Sequence, residues 1–432
     1  MLPAFIARRL AFSKERTFSR LIIRIAVAAV ALSVAVMIAA TAMIAGFQQE
    51  ISRKIFGFWG HIHISDTSAS LSFEPSPVPS NLDFLSKLDT LGPIFFEKEQ
   101  TVGGFALQDQ WQRARTEGGV AHVQSFAVKP GIIKSKSEIE GILLKGVDPD
   151  FDWTRLRPFL LEGRPINLVD TAASRDILVS RQTADRLSVG VGDKFIVYFV
   201  KEGQQVKRLF QICGIYKTGL EEFDRKFALC DIRQVQRLLG WKSDEVAGFE
   251  VFLDNIADID VFTQYIHEEM LPESLLATSI REKFPAIFEW LGLQDTNKVV
   301  ILGLMLAVAI INMITALLIL ILERTNMIGV LKALGAQNGQ IRRIFLIHAA
   351  WITAAGLFWG NLLGLLFCFL EDRFRFIRLP EADYFLSYAP VAVDWPTVLW
   401  LNAGTLAVTL LFLLLPALLI HRVTPVRAIR FK

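Results

Sequence analysis

The residues in this chain whose types and spacing could do chemistry are two histidine-bearing stretches, three cysteines and any loop able to cradle a phosphate. His61 and His63 lie in the strand-like stretch His61 to Ser65, where side chains two apart point to one face and could share a metal. No further Cys/His cluster lies near them, so a partly exposed strand face is the better expectation. His267-Glu268-Glu269 opens like a zinc-protease helix, but Leu271 stands where the second histidine is needed. The phosphate-binding pattern G-x-x-x-x-G-K-[ST] is absent, and so is the dipeptide Gly-Lys. The chain is therefore expected to be no enzyme and to carry no cofactor of its own. Cys213 and Cys230 could form a disulfide in an oxidising compartment, although cysteines on strands are more often simply buried; Cys368 falls in an apolar run.

A second set of residues implies packing rather than catalysis. Gly356, Gly360 and Gly364 recur every four residues, the pattern that lets helix backbones approach closely, and Ala31, Ala35 and Ala39 repeat it more weakly. Asn312, Asn361 and Asn402 each place an amide inside a separate apolar run, where hydrogen bonding between helices is expected before substrate contact. These residues require membrane helices to hold them. The chain is 52% hydrophobic and 21% charged, with a mean hydropathy of +0.40, too apolar for an ordinary soluble protein. The excess is concentrated in runs 25–47, 299–322, 344–370 and 398–420. Each is long enough to cross a hydrocarbon core of roughly 30 Å at about 1.5 Å per residue.

Charge sets the expected orientation. Arg8, Arg9, Lys14, Arg16, Arg20 and Arg24 precede the first run against the single acid Glu15, which holds the N-terminus in the cytoplasm and reads as an uncleaved signal anchor. Segment 323–343, with Arg324, Lys332, Arg342 and Arg343, and tail 421–432, with Arg422, Arg427, Arg430 and Lys432, belong on the same side. Loop 371–397 carries more acids than arginines and falls outside by alternation. The formal net charge of +3 is accounted for by this topology and gives no sign of nucleic acid.

The fold class expected is an α-helical membrane protein with four transmembrane helices and a large extracytoplasmic α+β domain, 48–297, inserted between the first two. Residues 1–24 mix Phe5, Ile6, Leu10, Phe12 and Phe18 with basic residues, as an interfacial helix would. Phe56, Phe58 and Trp59 are expected at the membrane interface. Asp66 to Asn81 reads as a loop, with Asn81 capping a helix over Leu82 to Leu91. Strands are expected at Gly118 to Pro130, Gly141 to Val147, Phe195 to Val200, Lys207 to Ile212 and Phe249 to Leu253. Helices are expected at Ser180 to Val189 and Ile259 to Met270.

The most informative segment is Glu323-Arg-Thr-Asn-Met-Ile-Gly-Val-Leu-Lys-Ala-Leu-Gly-Ala-Gln337. It resembles the cytoplasmic coupling segment of ABC-transporter permeases of the FtsX/MacB/LolCE superfamily. Phe5-Ile-Ala-Arg-Arg9, Leu144-Lys-Gly-Val-Asp148 and Arg422-Val-Thr-Pro-Val-Arg427 are similar to the lipoprotein-releasing LolC/LolE branch, in the same order along the whole chain. The resemblance implies that Glu323, Arg324, Met327, Ile328, Gly329, Leu331, Lys332, Ala333, Leu334 and Gly335 contact a separate ABC ATPase that binds the ATP. Met327, Ile328, Leu331 and Leu334 would form the apolar ridge, and Gly335 its C-terminal stop.

It also implies a second permease subunit, identical or homologous, a lipoprotein cargo and a periplasmic lipoprotein chaperone as partners, in a bacterial inner membrane with both termini cytoplasmic. Motion would pass outward through a stiff segment, Arg281 to Asn297. The branch's chaperone-capturing hairpin would fall at Phe195 to Ile212, where the turn Lys201 to Val206 is short, and no chaperone-binding residue is carried over. A MacB-like efflux permease, which usually has a fused ATPase, and an FtsX-like regulator of cell-wall hydrolysis in division, with a much smaller outer domain, are the alternatives.

Overall fold

The computed structural model describes residues 17–70, 75–102, 105–134, 139–169, 172–201 and 203–417. The expected interfacial residues before Thr17 and the basic tail lie outside them. The chain divides into a helical unit, Met1–Glu50 with Glu289–Leu379 and Ser387–Lys432, and an α+β unit, Ile51–Phe288 with Pro380–Leu386.

Apolar sequence without proline in the helix interior produces long helices, α1 Thr17–Phe58, α2 Pro285–Glu323, α4 Asn338–Phe374 and α5 Trp395–Phe412, the last followed by a turn of helix, Leu414–Ala417; the nine-residue α3, Thr325–Ala333, lies between α2 and α4. Stretches Leu21–Phe58, Pro285–Glu323, Asn338–Phe374 and Trp395–Ala417 are long and apolar enough to cross a membrane. Helices α1, α2 and α4 run well past the apolar runs that seeded them, to about 55–65 Å at 1.5 Å per residue. The stiff segment expected at Arg281 to Asn297 contains a short helix, Ile280–Lys283, a break at Phe284, and the start of α2 at Pro285, the position where proline costs a helix nothing.

Close backbone approach organises the helical unit. A Cβ built on Gly356 would stand 2.6 Å from Val30 Cγ1, one on Gly360 would stand 2.7 Å from Val34 Cβ and 2.8 Å from the Ala31 carbonyl oxygen, and one on Gly364 would stand 3.1 Å from Ala35 Cα. The glycine stripe of α4 thus lies on the Ala31/Ala35 face of α1. Asn361 and Asn402 exchange both side-chain hydrogen bonds, at 2.6 and 2.9 Å, and tie α4 to α5. Phe47 and Trp290, with ring centroids 5.6 Å apart, join α1 to α2. Helix α4 extends beyond the expected loop boundary: Glu371 lies in its last turn, fully buried, and accepts from the Ile377 backbone N–H.

The α+β unit is built on one ten-stranded sheet: β1 Ile62–Asp66, β2 Val120–Lys134, β3 Ile139–Val147, β4 Leu160–Gly163, β5 Asp176–Ser180, β6 Lys194–Lys201, β7 Gln204–Tyr216, β8 Phe227–Asp231, β9 Gly248–Leu253 and β10 Leu275–Ser279. Their order is β10-β1-β9-β2-β3-β8-β5-β7-β4, with β6 pairing both β7 and β2. The β3–β8 and β5–β7 pairs are parallel and the rest antiparallel. Helix Ile232–Leu239 lies over β2 and β3, and Gly146 makes room for it, since a Cβ there would meet Ile232 Cα at 2.7 Å. Helix Arg181–Leu187 is capped by Ser180, whereas the helix expected after Asn81 starts at Asp83 with no side-chain cap.

Two expectations fail here, each because burial depends on distant strands, and a third, that the strand cysteines are simply buried, holds. Phe56, Phe58 and Trp59 are not interfacial. They are buried in the α+β unit, where Phe58 stacks on Phe223 at 5.5 Å and Trp59 meets Phe227 edge-on at 5.1 Å. His61 and His63 are not on a partly exposed face: they are 3% and 1% exposed. Cys213 and Cys230 form no disulfide; both are buried free thiols, and burial pushes the Cys213 pKa up to about 12.

Burial first, and Arg155 second, lowers the His61 pKa to about 3, while burial with Lys283 and Lys145 holds His63 well below its ordinary 6.5. Both stay neutral in the fold but take up protons in the unfolded chain below about pH 6.5. Stability should therefore be complete above that pH and fall as pH drops from 6.5 towards 3, by about 1.4 kcal/mol per pH unit per histidine. Thermal unfolding of the full chain in detergent at pH 7.5 and 5.5 should show a lower midpoint in acid. His61→Asn/His63→Asn should flatten that dependence, and an equal slope in both proteins would refute the assignment. For the helical unit, Gly360→Leu should cost about 1–3 kcal/mol by overpacking against Val34, read as a lowered unfolding midpoint; an unchanged midpoint would contradict the close approach.

Candidate functional site

The site lies where α2 ends and α4 begins. Thr325 directs its hydroxyl back to the carbonyls of Ile321 and Leu322, Arg324 leaves helical geometry, and α3 starts on the next residue. Among the described residues, neither the Glu323 Oε2 nor the Arg324 Nε has a hydrogen-bond partner at this corner. Helix α3 closes on Gly335, whose φ of +92° lies in the left-handed region that favours glycine. The Ala336 N–H then returns to the Leu331 carbonyl at 2.9 Å. Gln337 caps α4 reciprocally with Gln340, so only the stop itself separates α3 from α4.

The apolar ridge of α3 is divided between two jobs. Ile328 is fully buried, and Met327, Leu331 and Ala336 pack against the same core, which includes Ile341 and Phe345 of α4. Gly329 is buried with Ile328. By contrast Leu334 is 79% exposed and Val330 51%, and Ala333 and Gly335 are exposed beside them. A nine-residue helix with one face in its own core and a leucine and a valine in the open suits a contact surface, not a catalytic centre. Sequence reasoning missed Val330. Its four-residue spacing from Leu334 was a legible signal, since such residues share a helix face.

The site is anchored to a rigid body. From α3 the chain enters α4, which carries Gly356, Gly360 and Gly364 against α1 and Asn361 against Asn402 of α5. Among the described residues no group of His, Cys, Asp or Glu could hold a metal ion.

Comparison with known proteins agrees with this arrangement. The MacB-like periplasmic core domain family matches residues 25–268, and the FtsX-like permease C-terminal family matches residues 299–425. The chain is 23% identical to the lipoprotein-releasing system transmembrane protein LolC of Neisseria meningitidis serogroup B, over 100% of this chain and 99% of that protein. It is 22% identical to LolC of Xylella fastidiosa, over 98% and 97% of the two chains, and 23% identical to LolE of Haemophilus influenzae, over 96% of each. With a family match covering more than half its length and a second continuing it, the chain belongs to the MacB-like periplasmic core family joined to an FtsX-like permease region, within the FtsX/MacB/LolCE superfamily of permeases.

Proposed function

We propose that this chain is the non-catalytic permease subunit of an ABC transporter that releases lipoproteins from the inner membrane of a bacterium towards the outer membrane. A separate ATPase binds α3, and a second permease, identical or homologous, completes the complex. Both termini are cytoplasmic, and the α+β unit, inserted between the first two membrane helices, faces the periplasm. The observation that carries the reading is the end-to-end similarity to LolC and LolE, together with Val330 and Leu334 standing exposed on a short helix that is otherwise seated in the core.

The physics of the task supports it. Each buried CH₂ of an acyl chain contributes about 0.8 kcal/mol to retention in the bilayer, so an acylated protein leaves at a useful rate only when work is done on it. Helices of this composition offer no charged pathway, which suits transmission of force to an outer domain better than passage through a channel. ATP closes the ATPase pair, α3 moves with it, and α4 carries the motion into the helices packed on it. The outer domain then shifts and expels cargo, received by a periplasmic chaperone.

Depletion of the protein should leave outer-membrane lipoproteins in the inner membrane, as followed by fractionation of a tagged lipoprotein. Normal sorting with lost drug resistance, or with blocked septation, would overturn the reading in favour of an exporter or a division regulator. Leu334→Glu and Val330→Glu should leave the chain folded but weaken capture of the ATPase by several kcal/mol, because a carboxylate would be desolvated at an apolar contact. Ile328→Glu should instead destabilise the permease itself, placing a charge in a core with no partner for it. Wild-type ATPase capture by Leu334→Glu would remove α3 from the interface.

A further inference from the structure

The stretch Leu144-Lys-Gly-Val-Asp148 has no part in the coupling site, yet it holds the least accessible charge in the α+β unit. Lys145 on β3 is 0% exposed. Its ammonium stands 2.6 Å from Glu250 Oε1, itself 0% exposed, and donates at 2.6 Å to the backbone carbonyl of Phe58. Phe58 is the last residue of α1. The indole of Trp59 lies 4.3 Å from the same ammonium.

Glu250 also accepts from Gln124 Nε2 at 2.7 Å, and its cross-strand neighbours are Gln124 on β2 and His63 on β1. His63 Nδ1 in turn is 2.8 Å from Lys283 Nζ, in the short helix that precedes α2. One row of polar groups across the sheet therefore reaches both places where the chain passes between sheet and long helix.

An ion pair in such a place returns little stability, since the cost of desolvating two charges offsets their attraction, and an apolar pair of similar shape would serve folding as well. What it adds is direction. The last carbonyls of a helix are unsatisfied and carry its partial negative charge, and a charge-assisted hydrogen bond to one of them fixes the helix end in position and angle.

We propose that the Lys145–Glu250 pair is the positioning joint of this permease, locking the end of α1 to the sheet so that a displacement of the helix moves the sheet as one body. The inference rests on the transport function proposed above for the force it transmits, while the joint itself is a statement about geometry.

The test uses the whole complex in nanodiscs with Lys145→Met/Glu250→Gln, which removes both charges, and Glu250→Gln alone. Release of a purified triacylated lipoprotein per ATP hydrolysed should fall at least tenfold in both, with ATP hydrolysis within twofold of wild type; the double variant should retain its unfolding midpoint, whereas Glu250→Gln alone, which leaves the buried Lys145 unpaired, should lower it. Spin labels at Arg53 on α1 and Glu273 ahead of β10 should give a distance distribution at least twice as broad in the double variant. An unchanged release ratio in a folded variant, with unchanged label distances, overturns the joint. So does failure of both variants to fold, because the pair would then be a folding requirement. If the wild-type complex itself releases no lipoprotein, the transport reading fails, and the label distances alone decide the joint: broadening supports it and an unchanged width overturns it.

Discussion

Helices as apolar as these gain nothing from hiding leucine from lipid, so the helical unit depends on how closely its backbones can approach. The seam of Gly356, Gly360 and Gly364 on α1 meets that constraint. Without Cβ atoms on α4, the side chains of Val30 and Val34 and the carbonyls of Val27 and Ala31 come within van der Waals reach of its backbone. Dispersion then acts over a long contact, and the Asn361–Asn402 amide pair satisfies in one exchange two polar groups that lipid could not. Helix α3 is seated on this body through Ile328, which is why a segment of nine residues can hold a fixed place at all.

The α+β unit solves a different problem with different means. Its sheet can rely on ordinary hydrophobic burial, and the aromatic group around Phe58, Tyr216, Phe223 and Phe227 provides it. Against that background the burial of Lys145, Glu250 and His63 is an expense that packing alone does not require. These groups gather where α1 ends and where the chain approaches α2. The same unit also receives the tip of the connection between α4 and α5: Lys217 reaches Glu381 at 2.5 Å, and Lys54 reaches the Phe385 carbonyl at 2.8 Å. Phe385 holds a left-handed backbone conformation there, one that a non-glycine residue keeps only where its surroundings fix it.

Much of this was legible in the residues. Four apolar runs cannot be mistaken for anything but long helices, since no soluble surface could accommodate them, and a glycine every fourth residue has a single physical use in such a helix. Asn361 and Asn402 announced a polar contact between helices for the same reason. The strands of the α+β unit declared themselves by alternation, and the short helix α3 by a glycine stop after an apolar stripe.

Other features were decided only by the tertiary structure. Lys145 in a strand reads as a surface lysine, and nothing local reveals that Glu250, more than a hundred residues later, meets it in the core. Phe56, Phe58 and Trp59 read as interfacial because the sequence shows their distance from the apolar run, not the sheet that covers them. His61 and His63 share a face in any strand, but burial of that face depends on β9 and β10 lying on either side of β1. The division of the α3 ridge follows the same rule: periodicity gives the stripe Met327, Ile328, Leu331 and Leu334, and only packing against α4 assigns Ile328 to the core and leaves Leu334 in the open. Composition and period are properties of neighbours along the chain and fix the elements, whereas burial of a charge or a ridge is a property of pairs distant in sequence and belongs to the fold.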